Sequence, residues 1–536
     1  MSKNYDLLIK DAKVVDGTGN AWFLADVAVA GGRIAGIGKL GSVEADRVID
    51  AMGLIVCPGF IDIHAHGIEQ LLVTPRAEAK IMQGITTMVG GNCGSSVAPV
   101  KGRLRDFSNS PGLLGGVAPD WSTFKEFYSR LEERGMAINA ASLVGNGTVR
   151  ACLLGLENKK PTVDRLEEMK SLVAEAMEHG AIGLSTGLAY PPSGFAGTEE
   201  IVELARVAAK YGGIYATHVR GMAHPIFEAV EEAIEIGEKA GLPVQLSHVN
   251  LGPPTWGRVP ELMKRVEEAR TRGLDVTADT LVHNESVFGR GSLLPNWASE
   301  GGLERLLERL SDPETREKIK KDTRLYGDSR GGSVASCLMQ NGDWDKLWVT
   351  FPKRLLGKTL AKVAEIRGLK DPYDALLDLI LEEKGNVRGV TEPYFQEDVD
   401  YTVGHPLCMP ETDGRPIAPS GDPALPPMHH RTYGAFAKML GWYVRDRDII
   451  TLEEAIRKST SFPAQRIGLK DRGLLREGMW ADITILDPET IRETGTLENP
   501  AQYPEGILYV LVNGQIVIDK GEHTGALPGR VLRHCS

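Results

Sequence analysis

The chain has 536 residues, 42% of them hydrophobic and 25% charged, with a formal net charge of −11. That length and composition fit a soluble globular protein with room for several domains. The acidic balance argues against nucleic acid and anionic membrane as main partners.

No run of about 18 apolar residues offers a membrane span. The first ten residues enter a strand pattern without the apolar core of a signal peptide, so the cytoplasm is the default address. Six scattered cysteines, Cys57, Cys93, Cys152, Cys337, Cys408 and Cys535, show no CxxC spacing and read as thiols.

Residues 5–55 read as short strands at 6–9, 13–15, 26–30, 33–37 and 47–50, divided by Asp16-Gly17, Gly31-Gly32 and Gly38. The same texture returns at 481–487, and at 507–512 and 515–519 around the hairpin signal Asn513-Gly514. Both ends are therefore expected to build one small β-sandwich, from 1–55 and from 461–536, the latter including a C-terminal tail.

Between them, from 56 to 460, apolar strands alternate with helical patterns, which predicts a parallel sheet with crossover helices. The strand candidates are 55–63, 86–90, 137–144, 180–185, 213–217, 243–247, 275–280 and a short one ending near Glu411; the clearest helices are 163–179 and 198–211. Eight units predict an α/β chain with a (β/α)8 TIM-like barrel, whose catalytic groups stand at the C-terminal ends of its strands. The interval 284–404 is too long for one loop. With helical pieces at 303–310 and 374–384, it reads as an inserted subdomain covering the site.

The polar candidates fall at strand ends. The run Cys57-Pro58-Gly59-Phe60-Ile61-Asp62-Ile63-His64-Ala65-His66 ends in two histidines at i and i+2, which on a strand project to one face. Cys93 sits in Gly90-Gly91-Asn92-Cys93-Gly94, His218 ends Ala216-Thr217-His218, His248 ends Leu246-Ser247-His248, and Asp413 sits in Thr412-Asp413-Gly414. Any one of these alone is weak. Six at the same end of one barrel predict a metal centre, and thiolate with imidazole suits zinc.

These motifs resemble the amidohydrolase superfamily, and in it the N-acyl-D-amino-acid deacylase (D-aminoacylase) branch. The likeness also takes in Leu184-Ser185-Thr186-Gly187-Leu188-Ala189-Tyr190-Pro191-Pro192, Gly478-Met479-Trp480-Ala481-Asp482 and Val512-Asn513-Gly514. It implies one tightly bound zinc on Cys93, His218 and His248, and a weaker second site on His64 and His66 that Cys93 bridges. Many superfamily members bridge two metals with a strand-four lysine, and strand four here has none. The resemblance further implies that Tyr190 hydrogen-bonds the scissile carbonyl and Arg431 grips the substrate carboxylate. Asp413 would act as general base, then acid, on metal-activated water. The expected substrate is a small amide, an N-acyl-D-amino acid with a neutral or apolar side chain.

Three positions depart from the branch pattern. Asn250 stands where the branch has a substrate-binding lysine, Thr277-Ala278-Asp279 replaces a Tyr-Pro-Tyr segment, and His283 stands near an expected serine. These departures leave chirality and side-chain preference open, along with the oligomeric state. The rivals are a hydrolase of cyclic amides or dipeptides and an inactive scaffold protein. The absent strand-four lysine weighs against the first, and six retained metal-site residues weigh against the second.

Overall fold

The computed structural model describes residues 4–41, 43–107, 117–222, 225–326, 333–419 and 428–534. Both chain ends meet in one nine-stranded sheet. Asn4–Val14, Phe23–Ala30, Arg33–Gly38 and Glu44–Asp50 come from the front; Ile483–Leu486, Ile507–Val512, Gln515–Asp519 and Glu522–His523 come from the back. Ile55–Pro58 joins the two halves, parallel to the first strand and antiparallel to Ile483–Leu486. Leu7, Ile9, Val27, Ile34, Val56, Ile483 and Leu511 share its core. At the hairpin tip Asn513 and Gly514 both have positive φ, 50° and 81°, the conformation a two-residue I′ turn needs.

The expected single strand over 55–63 is two strands in different sheets. Ile55–Pro58 belongs to the terminal sheet, while Phe60–Asp62 pairs in parallel with Ile85–Gly90. Gly59 is the crossing point. Its N–H donates to the Asp482 carbonyl (2.8 Å), and the next N–H, of Phe60, donates to Gly84 (2.9 Å). A Cβ at 59 would lie 2.2 Å from Thr86 Cγ2, so only glycine fits.

The central strands are parallel. Phe60–Asp62, Ile85–Gly90 and Asn139–Ser142 form a three-stranded sheet. Val144–Gly145, Gly183–Gly187, Ile214–His218, Val244–Leu246, Val276–Leu281 and Cys408–Glu411 form a six-stranded one, in that order. The expected strand at 180–185 begins instead at Gly183. Gly180 (φ +99°) and Ala181 still close the preceding helix, Val163–Glu178, donating to Met177 and Ala176. Helices Thr198–Lys210, Ile226–Ala240 and Val259–Thr271 follow three of the strands and turn their apolar faces to the same core.

The interval after strand Val276–Leu281 holds more than helices. Ser286–Gly289, Leu347–Phe351 and Arg388–Thr391 form a three-stranded antiparallel sheet, missed because each strand is only four or five residues long. With Leu303–Ser311 and Pro372–Glu382 it encloses a separate apolar cluster that includes Leu306, Leu310, Leu347, Val349, Leu376 and Ile380. Among the described residues no helix is long and apolar enough to cross a membrane. Cys57, Cys93, Cys152, Cys337 and Cys408 are free, and Cys535 lies outside the described residues.

Candidate metal centre and active site

Parallel strands with a common direction bring their C-terminal ends together, and the polar candidates converge there. Cys93 Sγ lies 3.4 Å from His64 Nε2, 3.7 Å from His248 Nε2 and 3.9 Å from His218 Nδ1. His218 Nδ1 and His248 Nε2 are 3.0 Å apart. Zinc held at about 2.3 Å from sulfur and about 2.0 Å from nitrogen separates tetrahedral ligands by about 3.5 Å. The donor set therefore fits one metal ion, with Cys93 able to reach His64 as well. His66 Nε2 stands 2.9 Å from Asp413 Oδ1, and His64 Nε2 stands 3.9 Å from the same oxygen. His64, His66 and Asp413 form a second potential ligand group sharing His64 with the first.

Local backbone conformation supports a functional reading. Cys93 (φ 52°), His248 (φ 37°) and Asp413 (φ 42°) all sit in the left-handed region without being glycine. Each such residue costs about 1–3 kcal/mol, and such strain gathers at active sites. The electrostatics agree. Burial would raise the Cys93 thiol, but His64, His218 and His248 hold it well below its ordinary value, which favours the thiolate that a metal needs. Burial likewise opposes ionisation of Asp413, yet Arg431 and His66 hold its carboxyl well below the usual range. Glu411 goes the other way: burial, reinforced by Asp279 and Asp413, pushes it up against the pull of His64.

Asp279, one of the departures from the branch pattern, is buried. It is 1% exposed, accepts the His248 N–H (2.6 Å) and a Gln245 N–H (2.7 Å), and stands 3.4 Å from His64 Nδ1. Glu411 lies 3.2 Å from the same nitrogen. Asp279 thus fixes the backbone of His248, and both acids lie close to the His64 ring, where outer carboxylates of a metal site commonly stand. Thr277 is buried and bonded to Gln245. Asn250 is also turned inward: its amide takes the Leu281 N–H (2.9 Å) and donates to the Leu281 carbonyl (3.0 Å). Strand alternation and the inward turn of these side chains decide this, and the sequence difference alone does not reveal it.

Tyr190 packs its ring 4.6 Å from that of His218, beyond strand Gly183–Gly187. A Cβ on Gly291 would touch the Tyr190 ring at 3.9 Å, so the inserted segment borders this tyrosine. Arg431 opens helix Arg431–Lys438 and pairs through one nitrogen with Asp413. Its Nε and Nη1 are buried without hydrogen-bond partners.

The amidohydrolase family model matches residues 47–316 and 412–518. The chain belongs to the amidohydrolase family. The unmatched stretch, 317–411, includes much of the interval that holds the three-stranded antiparallel sheet. The D-aminoacylase of Alcaligenes xylosoxydans xylosoxydans is 34% identical, over 99% of this chain and 98% of that protein. The N-acyl-D-glutamate deacylase of the same organism is 33% identical, over 99% and 97%. In structure, the N-acyl-D-glutamate deacylase of Bordetella bronchiseptica, solved with zinc and a phosphonate mimic of the tetrahedral intermediate, superposes with a TM-score of 0.82. It is 31% identical, with 99% of this chain and 100% of that one covered.

One member of this amidohydrolase site has no motif to announce it. Lys80, on the short helix Glu78–Ile81, is wholly buried. Its Nζ donates to Asp62 Oδ2 (2.8 Å), to Thr412 Oγ1 and to the Gly414 carbonyl (3.0 Å). That carbonyl also accepts the His66 N–H (3.0 Å). Lys80 thus holds both neighbours of Asp413, the Thr412 hydroxyl and the Gly414 carbonyl. Breaking a buried pair by removing one partner costs about 3–5 kcal/mol, whereas replacing both costs far less. Lys80→Met should therefore lose about that much stability in denaturant unfolding, and adding Asp62→Asn should recover part of it. Strictly additive losses would show that the two are not coupled.

Proposed function

We propose that this amidohydrolase cleaves the amide bond of N-acyl-D-amino acids with the help of zinc, releasing a carboxylate and a free D-amino acid. The observation that carries this reading is the Cys93 sulfur set among His64, His218 and His248, with Asp413 against His66. Cys93, His218 and His248 would hold the tighter ion, and His64 and His66 a weaker second one. A divalent ion there supplies Lewis-acid polarisation and makes water more acidic.

The remaining roles belong to side chains. Asp413, kept ionised by Arg431 and His66, accepts the proton of the attacking water and hands it to the leaving amine. Tyr190 donates to the carbonyl oxygen as negative charge grows on it. Arg431 offers its unpartnered Nε and Nη1 to the substrate carboxylate. Asn250 stands where the branch has a substrate-binding lysine, so this position offers no cation to an acidic substrate side chain, which favours a neutral one.

For the fold, we read the two parallel sheets as one (β/α)8 barrel. Residues 139–145 run from one sheet into the other, and Ala65 bridges Gly414 to link the last strand to the first. The expected boundary at 55 moves to 58, since Ile55–Pro58 pairs in the terminal sheet, so 1–58 and 461–536 form the terminal β unit and 284–404 an insertion into the barrel. The separate apolar cluster of 284–404 supports the insertion, while the terminal sheet keeps one core of its own and packs its other face, with Val510, Val512 and Ile518, into the central core.

The test is amine release from N-acetyl-D- and N-acetyl-L-amino acids, with metal content measured on the same sample. Turnover of D-substrates alone is expected, with neutral side chains ahead of N-acetyl-D-glutamate. Metal-loaded protein that ignores both sets, or treats D and L alike, would sink the reading.

A further inference from the structure

A second buried group of histidines and carboxylates is distinct from the residues around Cys93. His283 comes from just beyond strand Val276–Leu281, His430 from just before helix Arg431–Lys438, and Glu493 from the stretch after strand Ile483–Leu486. His283 Nε2 lies 3.0 and 3.1 Å from the two Glu493 oxygens, and His430 Nδ1 lies 2.8 Å from one of them. The two rings are 4.8 Å apart and nearly perpendicular. The His283 side chain is 0% exposed, that of His430 7% and that of Glu493 12%.

Hydrogen bonding alone leaves this cluster unfinished. The outer nitrogens, His283 Nδ1 and His430 Nε2, are buried without a partner, and so is Glu285 Oε2. Glu285 Oε1 sits 3.7 Å from His430 Nε2. A buried polar atom left unpaired costs about 1–3 kcal/mol. A metal ion would settle the proton positions at His430, the one outer nitrogen with a carboxylate nearby. The inner nitrogens would give their lone pairs to the ion, the ring protons would sit on the outer nitrogens, and His430 Nε2–H would face Glu285. That is the carboxylate–histidine–metal arrangement.

We propose that His283 Nε2, His430 Nδ1 and a carboxylate oxygen of Glu493 form a further divalent-metal site, apart from that around Cys93, with Glu285 orienting His430. Ligand atoms about 2.0–2.1 Å from a tetrahedral zinc stand about 3.3 Å apart, so spacings of 2.8–3.1 Å need only a slight opening. Two imidazoles and one carboxylate suit zinc and its neighbours. Burial holds His283 down at about 4, so its ring is neutral at pH 7. Burial opposes protonation of His430, but Glu285 and Glu493 raise it to about 9, so this ring gives up a proton when the ion binds. Glu285 is buried, but His430 and His283 bring it down to about 2, and Glu493 is likewise held low. The ion would tie together three segments far apart in the chain, next to Arg431. This inference rests on the cluster itself and does not depend on the substrate proposed above.

The probe is zinc alone. Full-length protein is loaded, freed of loose metal and counted by elemental analysis, alongside His283→Gln and Glu493→Gln. Each variant should hold about one equivalent less than the unmodified chain. In parallel cobalt-loaded samples, the thiolate charge-transfer band from Cys93 should be unchanged. Equal zinc in all three would overturn the site and leave a hydrogen-bonded network only. Should one variant fail to fold, the other still decides the question, and where His283→Gln folds, Cys93→Ser gives an independent comparison. It should retain zinc that Cys93→Ser/His283→Gln loses, and equal retention in those two would also overturn the proposal.

Discussion

Asp413→Asn should keep its metal and lose about 10²–10⁴-fold in kcat, the contribution of a positioned general acid–base group. The amide fills the same space but cannot accept a proton from water. It also gives up the ion pair with Arg431, a guanidinium that is only 2% exposed. Some loss of stability is therefore expected, and metal content and thermal midpoint belong on the same sample as the kinetics. KM should move much less than kcat, because the proposed carboxylate grip comes from Arg431 Nε and Nη1, which Asp413 does not use. Near-normal turnover in metal-loaded Asp413→Asn would remove this residue from the proton-transfer role.

Cys93→Ser should have a comparable effect by a different route. The sulfur stands within 3.4–3.9 Å of three histidine nitrogens, so with His64 it lies between the two proposed metal positions. The thiol is held well below its ordinary value by those histidines, which favours the thiolate at neutral pH. A serine hydroxyl does not ionise there and is a poor match for zinc. Altering outer-shell partners alone typically costs 10–100-fold in metal affinity, and losing an inner ligand should cost at least about 100-fold. Activity should fall with metal content. Full occupancy and full activity in Cys93→Ser would move the metal centre away from this residue.

The two expected losses are separable. Asp413→Asn breaks chemistry in a metal-loaded protein, while Cys93→Ser breaks loading itself. Activity lost in both with metal retained in both would fit neither assignment.

The sequence by itself determined the inventory of the proposed metal centre. His64 and His66 close an apolar run at i and i+2, and Cys93, His218, His248 and Asp413 each end or follow a buried segment. In a parallel α/β chain such ends share one side, so strand direction alone predicts that they meet. The alternation of strand and helix was legible for the same reason: hydrophobic period is local. Tertiary structure decided what depends on the direction of a single side chain or on contact across hundreds of residues. It broke the run at Gly59, because a Cβ there would collide with Thr86. It turned Asp279 and Asn250 inward to hold His248 and Leu281, where their residue types alone suggested a changed substrate pocket. It also buried Lys80 beneath Asp413, and joined His283 and His430 through Glu493, 210 and 63 residues away. None of these has a periodic or motif signal, because each is fixed by which surfaces pack together after the chain has folded.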